Sequence, residues 1–154
     1  MSTAQWVFEP MREADLAAVL EIERLASPSP WTPGLFLHEL QLEFSRIILA
    51  RQGDGGAVLG FACWWEVAEE IHVLNVAVHP SKRRRGIGRA LVRRMLAIGT
   101  AAGATLAGLE VRADNGAGIA LYEGCGFARV GQRRDYYGPG QNAVLMDCRL
   151  PMDR

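Results

Sequence analysis

Residues 71–98 read Ile71-His72-Val73-Leu74-Asn75-Val76-Ala77-Val78-His79-Pro80-Ser81-Lys82-Arg83-Arg84-Arg85-Gly86-Ile87-Gly88-Arg89-Ala90-Leu91-Val92-Arg93-Arg94-Met95-Leu96-Ala97-Ile98. Ile71 to Val78 is an apolar, β-branched run that His79-Pro80 ends, which predicts a buried strand. Ile87, Leu91, Met95 and Ile98 then recur at helical spacing, while Arg85, Arg89 and Arg93 fall on another face. A strand therefore runs through a basic, glycine-bearing loop into an amphipathic helix. Free N–H groups at a helix start bind anions, helped by the helix dipole. Gly86 and Gly88 carry no Cβ, so backbone there can approach a phosphate closely. Lys82, Arg83, Arg84 and Arg85 add positive charge at the same end, and a pyrophosphate is the natural guest.

The order Gly-x-x-x-x-Gly-Lys-Ser/Thr is absent, which excludes the longer phosphate loop of the nucleoside triphosphatases. The dinucleotide fingerprint is excluded too, because only two of its three glycines are present. A solvated basic helix start, or a contact to nucleic acid backbone, remains an alternative reading of the arginines.

Outward from this stretch, Gln5 to Pro10 reads as a first strand. Asp15 is placed to cap a helix carrying Leu16, Val19, Leu20, Glu23 and Leu25. Ser27-Pro28-Ser29-Pro30 breaks it, and Trp31 to Leu42 restarts a helix with Leu35, Leu37, Leu40 and Leu42 as apolar positions. Arg46 to Ala50 and Val58 to Val67 form a hairpin around Asp54-Gly55-Gly56. Gly99 and Gly103 bracket the end of the long helix, and Thr105 to Val111 is a further strand. Asp114-Asn115 caps a helix with Ile119, Leu121 and Tyr122 that stops near Gly124–Gly126. Phe127 to Arg133 and Ala143 to Leu150 close the chain as a strand pair around Gly138-Pro139-Gly140. The order β-α-α-β-β-β-α-β-α-β-β predicts one domain over 1–154, a mixed sheet with helices on both faces.

The chain has 154 residues, 49% apolar and 22% charged, enough for a core without disulfide staples. No apolar run reaches membrane-spanning length, and Met1 to Pro10 does not read as a secretory signal. Cys63, Cys125 and Cys148 show no metal-ligand spacing with His38, His72 or His79, so no metal is expected and buried thiols in a reducing cytoplasm are. Net charge is zero, yet residues 1–79 hold eleven acids and four bases while residues 80–154 hold six acids and thirteen bases. The second half suits a polyanion and the first half a cation.

Leu74-Asn75-Val76-Ala77-Val78-His79-Pro80, Arg83-x-x-Gly86-x-Gly88, Leu109-Glu110-Val111-Arg112, Asn115, and Ala120-Leu121-Tyr122-Glu123-x-x-Gly126-Phe127 together resemble the GNAT acetyltransferase superfamily. Within it the chain is similar to the bacterial ribosomal-protein-alanine N-acetyltransferases. The resemblance implies the GNAT fold, an α/β arrangement with a mixed, mostly antiparallel seven-stranded sheet. It implies acetyl-CoA as cosubstrate, its pyrophosphate on backbone N–H groups of Arg84, Arg85, Gly86, Ile87, Gly88 and Arg89, beside Arg83. Pantetheine would lie along Val76, Ala77 and Val78, with Asn115 bonding to it. Glu110 would accept a proton and Tyr122 donate one. Trp31, Tyr136 and Tyr137 would flank the acceptor, expected to be a protein N-terminus, that of a small-subunit ribosomal protein in the narrower family. The expected state is a cytoplasmic monomer or weak dimer, with no nucleic acid or membrane partner.

The chemistry of the residues is consistent with these roles. An α-amino group with a reference pKa near ~8 loses its proton more easily than a lysine near ~10.4. One carboxylate, acting directly or through water, can serve as base. Glu110 lies in the otherwise apolar run Leu106 to Val111, where apolar surroundings would make it a better base near neutrality; the alternative is a solvent-facing strand end. A neutral Tyr122 phenol can protonate a departing thiolate, or be a plain core aromatic. Asn115 can cap its helix as well as bind, and Trp31 can anchor its loop. Gly116 and Gly118 weaken helix propensity beside Asn115. The segment Pro33 to Glu39 diverges from the family, which bears on acceptor choice. Other acceptors (different N-termini, a lysine, a small amine) and a non-catalytic acyl-CoA-binding module are the competing readings. Direct transfer in a ternary complex is expected, since no Cys lies in a motif for a covalent acetyl-enzyme.

Overall fold

Seven strands form one sheet in the order β1-β2-β3-β4-β5-β7-β6. The computed structural model describes residues 6–151. The strands are β1 (Trp6–Pro10), β2 (Ser45–Gln52), β3 (Val58–Val67), β4 (Glu70–Val78), β5 (Leu106–Arg112), β6 (Ala128–Gly138) and β7 (Gln141–Arg149). The helices are α1 (Leu16–Ala26), α2 (Pro33–Gln41), α3 (Ile87–Ala101) and α4 (Gly116–Gly124). Every neighbouring pair is antiparallel except β4 and β5. The element order read from the sequence is the observed one, with β3 placed as read and other ends shifted by up to five residues; Gln5 lies outside the described residues.

The strands alternate between two apolar layers. Ile71, Val73, Ala107, Leu109, Val111, Val144 and Met146 pack with Leu91, Val92 and Met95 of α3. Ile47, Leu49, Phe61 and Cys63 pack with Val19 and Ile22 of α1 and Phe36 of α2. One irregularity decides what β4 presents. Cys63 pairs with Asn75 but Trp64 pairs with Val73, so Leu74 is bulged out of register. Before the bulge the odd residues Ile71 and Val73 face α3; after it Val76 and Val78 do. Leu74 and Asn75 consequently both face the α1 side. A bulge inverts alternation in this way.

Several local expectations change in three dimensions. Asp15 precedes α1 but makes no capping bond. It pairs with Arg51, which also holds Glu9, and so ties the start of α1 to β1 and β2. Of the apolar positions of α2, Leu40 packs on the core and Leu35 is exposed, while the innermost side chains are Phe36 and Glu39. Thr32 caps α2 by accepting from Leu35 N. Gly99 and Gly103 do bracket the end of α3 at Ala101, and Gly99 has a further reason to be glycine: it lies against β4, where a Cβ would fall 2.1 Å from Ile71 Cδ1. The three cysteines are buried and free. Among the described residues no helix is long and apolar enough to cross a membrane.

Candidate active site

The site begins where β4 and β5 part. Their parallel pairing covers only Glu70–Leu106, Ile71–Ala107 and His72–Gly108. Beyond it β4 runs on to Val78 and β5 to Arg112 without meeting. The backbone of Val76, Ala77 and Val78 pairs with β3 on one side only, so its other side offers polar groups to whatever lies in the gap. The gap opens at the carboxyl ends of two parallel strands, the usual place for a ligand in such sheets.

At the same end stands the start of α3. Gly86 is its N-cap, with φ 83°, and Arg84 also has a left-handed φ of 66°. Left-handed residues alternating with ordinary ones turn successive N–H groups to one side and make an anion-binding concavity. The first bond of the helix runs from Ala90 N to Gly86 O. Among the described residues, no backbone or side-chain acceptor engages the N–H groups of Arg84, Arg85, Gly86, Ile87, Gly88 or Arg89. The side chains of Arg83, Arg84 and Arg85 are exposed around this concavity. The Arg89 side chain instead reaches α4, within 3.5 Å of the Cβ position of Gly124, where a cation suits a helix C-terminus. Gly88 faces the seam between β4 and α4: a Cβ there would touch Val78 and Leu121 at 3.6 and 3.5 Å.

Asn115 caps α4, its Oδ1 accepting from Gly118 N at 2.9 Å. Gly118 is what permits this geometry, because a Cβ at 118 would lie 2.6 Å from Asn115 Nδ2. The glycine that lowers helix propensity makes room for the cap. Tyr122, one side of α4 inward, is buried with its ring edge-on to Phe127 at 5.6 Å. Burial pushes its phenol well above the ordinary tyrosine range, and the nearby Cys125 and Tyr137 add to that.

Glu110 lies on β5 just past the parting, on the face away from α3. Its strand neighbours Leu109 and Val111 point the other way, into the α3 layer. Its own face is mixed, with the paired Leu145 and also Leu106 and Val130 beside His72. Glu110 Oε1 lies 3.0 Å from His72 Nε2. The two side chains border a depression of about 260 Å³, with Gly108, Val130 and Leu145. A larger hollow of about 380 Å³, between β1, β2, α2 and α3, holds none of the candidate residues. Sequence reasoning missed His72 as a functional group. It considered the histidines only as metal ligands, and a contact across 38 positions leaves no local signal.

Tyr137 is half-buried at the end of β6, with the Arg112 guanidinium 4.6 Å from its ring centre. Arg112 is held in turn by Gln141 Oε1 at 2.9 Å. Burial, Tyr136 and the Glu110 carboxylate push the Tyr137 phenol up, and Arg112 pulls it back. Tyr136 packs edge-on against Tyr137 at 4.9 Å and lies under Arg133, more exposed than its neighbour. The structure thus brings Tyr137 towards Glu110 and leaves Tyr136 at the rim. Trp31 packs on Phe36 at 5.1 Å, and its backbone N–H donates to Glu23 Oε2. Glu23, almost wholly buried in α1, also accepts from Asn75 Nδ2 at 3.0 Å. The loop before α2 is therefore moored to the β4 bulge through one carboxylate, a second arrangement the sequence did not reveal. Among the described residues no cluster of His, Cys, Asp and Glu is placed to hold a metal ion.

Comparison with known proteins agrees with this geometry. Residues 16–127 match the Acetyltransferase (GNAT) family. The chain is 37% identical to the N-alpha-acetyltransferase RimI of Mycobacterium tuberculosis over 129 residues, 81% of this chain and 78% of that one. It is 35% identical to the [ribosomal protein bS18]-alanine N-acetyltransferase of Escherichia coli strain K12 over 145 residues, 92% of this chain and 96% of that one. The crystal structure of the ribosomal-protein-S18-alanine N-acetyltransferase from Escherichia coli superposes with a TM-score of 0.85 at 32% identity, covering 97% of this chain and 96% of that one.

Proposed function

This chain belongs to the GNAT acetyltransferase family, and on that premise we propose that it moves acetyl from acetyl-CoA to the α-amino group of an N-terminal alanine on a small-subunit ribosomal protein. The observation that carries the reading is the parting of β4 and β5, with free N–H groups at one end and Glu110 on one flank. The names borne by the relatives from Escherichia coli and Mycobacterium tuberculosis support the acceptor class.

The Arg84–Arg89 amides receive the pyrophosphate. The free side of Val76 to Val78 receives the pantetheine amides as a neighbouring strand would be received, and Asn115 Nδ2 adds a donor. Glu110 takes a proton from the acceptor ammonium, directly or through water. The freed amine attacks the thioester carbonyl, the C–S bond breaks as the attacking nitrogen releases its second proton to water, and Tyr122 gives its phenolic proton to the departing sulfur. Burial keeps the phenol neutral and protonated in the resting enzyme, so that a proton is at hand where the sulfur departs. Tyr137 and Trp31 flank the acceptor from the β6–β7 hairpin and the α1–α2 loop. An α-amino group is roughly 3 kcal/mol easier to deprotonate than a lysine at about 1.4 kcal/mol per unit, which favours an N-terminus when one carboxylate is the base. This enzyme works in the cytoplasm, where ribosomal proteins are made.

The test is acetyl transfer to synthetic peptides that begin with alanine and differ only in a free or blocked N-terminus. Wild type acetylates the free peptide alone, and Glu110→Gln and Tyr122→Phe each lose about 10²-fold or more in kcat. Transfer to the blocked peptide through a lysine would replace the α-amine assignment. Tight acetyl-CoA binding without transfer to any amine would point to a binding module.

A further inference from the structure

We propose that His72 is a positioning residue for Glu110, fixing which carboxylate oxygen faces the acceptor amine; this rests on Glu110 being the base. Glu110 sits two residues past the last β4–β5 pair, His72–Gly108. On its β4 side the backbone has already receded, so no strand neighbour restrains it there. A glutamate side chain has several freely rotating bonds and loses substantial entropy when held in one place. Among the described residues its one side-chain partner is His72, Nε2 to Oε1 at 3.0 Å. A ring N–H directed at Oε1 leaves Oε2 for the amine or for a bridging water, whether the imidazole is neutral with its proton on Nε2 or carries both protons.

The histidine is itself held. Its ring lies edge-on to Trp65 at 6.0 Å and 78°. The Trp65 indole N–H donates to Glu39 Oε1 at 2.8 Å, and Ser45 Oγ donates to the same oxygen at 2.6 Å. A chain of oriented groups thus runs from α2 across β3 and β4 to the carboxylate on β5, the arrangement in which a base is aimed by a third group. Stability does not account for the contact. The His72 and Glu110 side chains are 43% and 25% exposed, and exposed pairs contribute little to folding.

Three variants and one cycle test this, with acetyl-CoA and a free alanine N-terminal peptide. His72→Phe keeps an aromatic ring against Trp65 and removes the N–H. It lowers kcat by about tenfold to a hundredfold, the scale of a misplaced reacting group, with the KM for acetyl-CoA and the melting temperature unchanged. His72→Gln, whose amide can still donate, recovers most of the rate. Glu110→Gln/His72→Phe is no slower than Glu110→Gln alone, because His72 acts only through the carboxylate. Wild-type kcat in His72→Phe, with Glu110→Gln slow, overturns the proposal. So does a double variant whose losses multiply. Full activity in Glu110→Gln would instead remove the base assignment on which the proposal stands.

Discussion

Asn115→Asp separates holding a helix from holding a ligand. In the structure Asn115 Oδ1 accepts from Gly118 N at 2.9 Å, and Nδ2 is the donor that the proposed pantetheine contact uses. Aspartate keeps the accepting oxygen and deletes the donor. Asp and Asn cap about equally well, and a carboxylate at a helix N-terminus gains about 0.3–1 kcal/mol from the dipole. Stability should therefore hold or rise slightly, which for a chain of this size is a melting shift of no more than about 2–4 °C. Binding should respond differently. Losing one hydrogen bond to a neutral partner removes about 0.5–1.5 kcal/mol, and leaving an acceptor facing an acceptor adds about 1–3 kcal/mol. The dissociation constant for acetyl-CoA should rise by about tenfold to about two-thousandfold. Asn115→Ala is the control: it loses the cap as well, about 1 kcal/mol, so its melting temperature falls while its affinity falls less. Calorimetric titration and thermal unfolding with and without acetyl-CoA read the two quantities apart. Titration at two salt concentrations removes the repulsion between the new charge and the phosphates, since only that part is screened. Wild-type affinity in both variants would refute the reasoning and leave Asn115 a cap alone.

Other consequences can be checked as directly. Gly88→Ala places a methyl at ordinary contact distance from Val78 and Leu121, so the melting temperature should hold or rise with a helix-propensity gain of up to about 1 kcal/mol; the KM for acetyl-CoA should rise by about tenfold or more, because the methyl enters the β4–α4 seam. Glu23→Ala orphans the Trp31 N–H and the Asn75 amide, which should cost about 2–4 kcal/mol in urea unfolding, with Glu23→Gln in between. Cys63, buried beneath α2, has its thiol pushed up to about 12, chiefly by burial. Above the ordinary thiol value the unfolded chain holds fewer protons than the folded one, so this contribution to stability is complete below about pH 9 and falls by about 1.4 kcal/mol per pH unit towards 12. Urea midpoints measured at pH 8 and 10 should fall more steeply in wild type than in Cys63→Ala. An equal slope would show that Cys63 does not contribute.

How much of this could be read in advance follows from how far apart the cooperating residues lie. Ile87, Leu91 and Met95 announce α3 by their own spacing, and all three are buried. The concavity at Gly86 and Gly88 is legible for the same reason: loop, glycines and helix start are contiguous, and a helix binds anions at its N-terminus wherever it folds. Glu110, Tyr122 and Asn115 stood out through a spaced pattern shared with a family.

The apolar positions of α2 did not by themselves say which side is innermost, because burial is set by what packs against a helix: Leu40 touches the core, Leu35 is exposed, and Phe36 with Glu39 lies deepest. In the sequence Gly99 marks a helix end and Gly118 weakens a helix; only their neighbours, Ile71 and the Asn115 amide, show why no Cβ fits at either.

By itself, then, the chain determined its order of elements and its basic, glycine-bearing turn at a helix start, because each rests on residues within a few turns of one another. The tertiary structure decided where β4 and β5 part, that the bulge at Leu74 turns Asn75 towards Glu23, and that His72 meets Glu110. Those depend on register between strands, from Cys63 with Asn75 to His72 with Gly108, which periodicity within a strand leaves open, since a shift of one position sends every side chain to the opposite face.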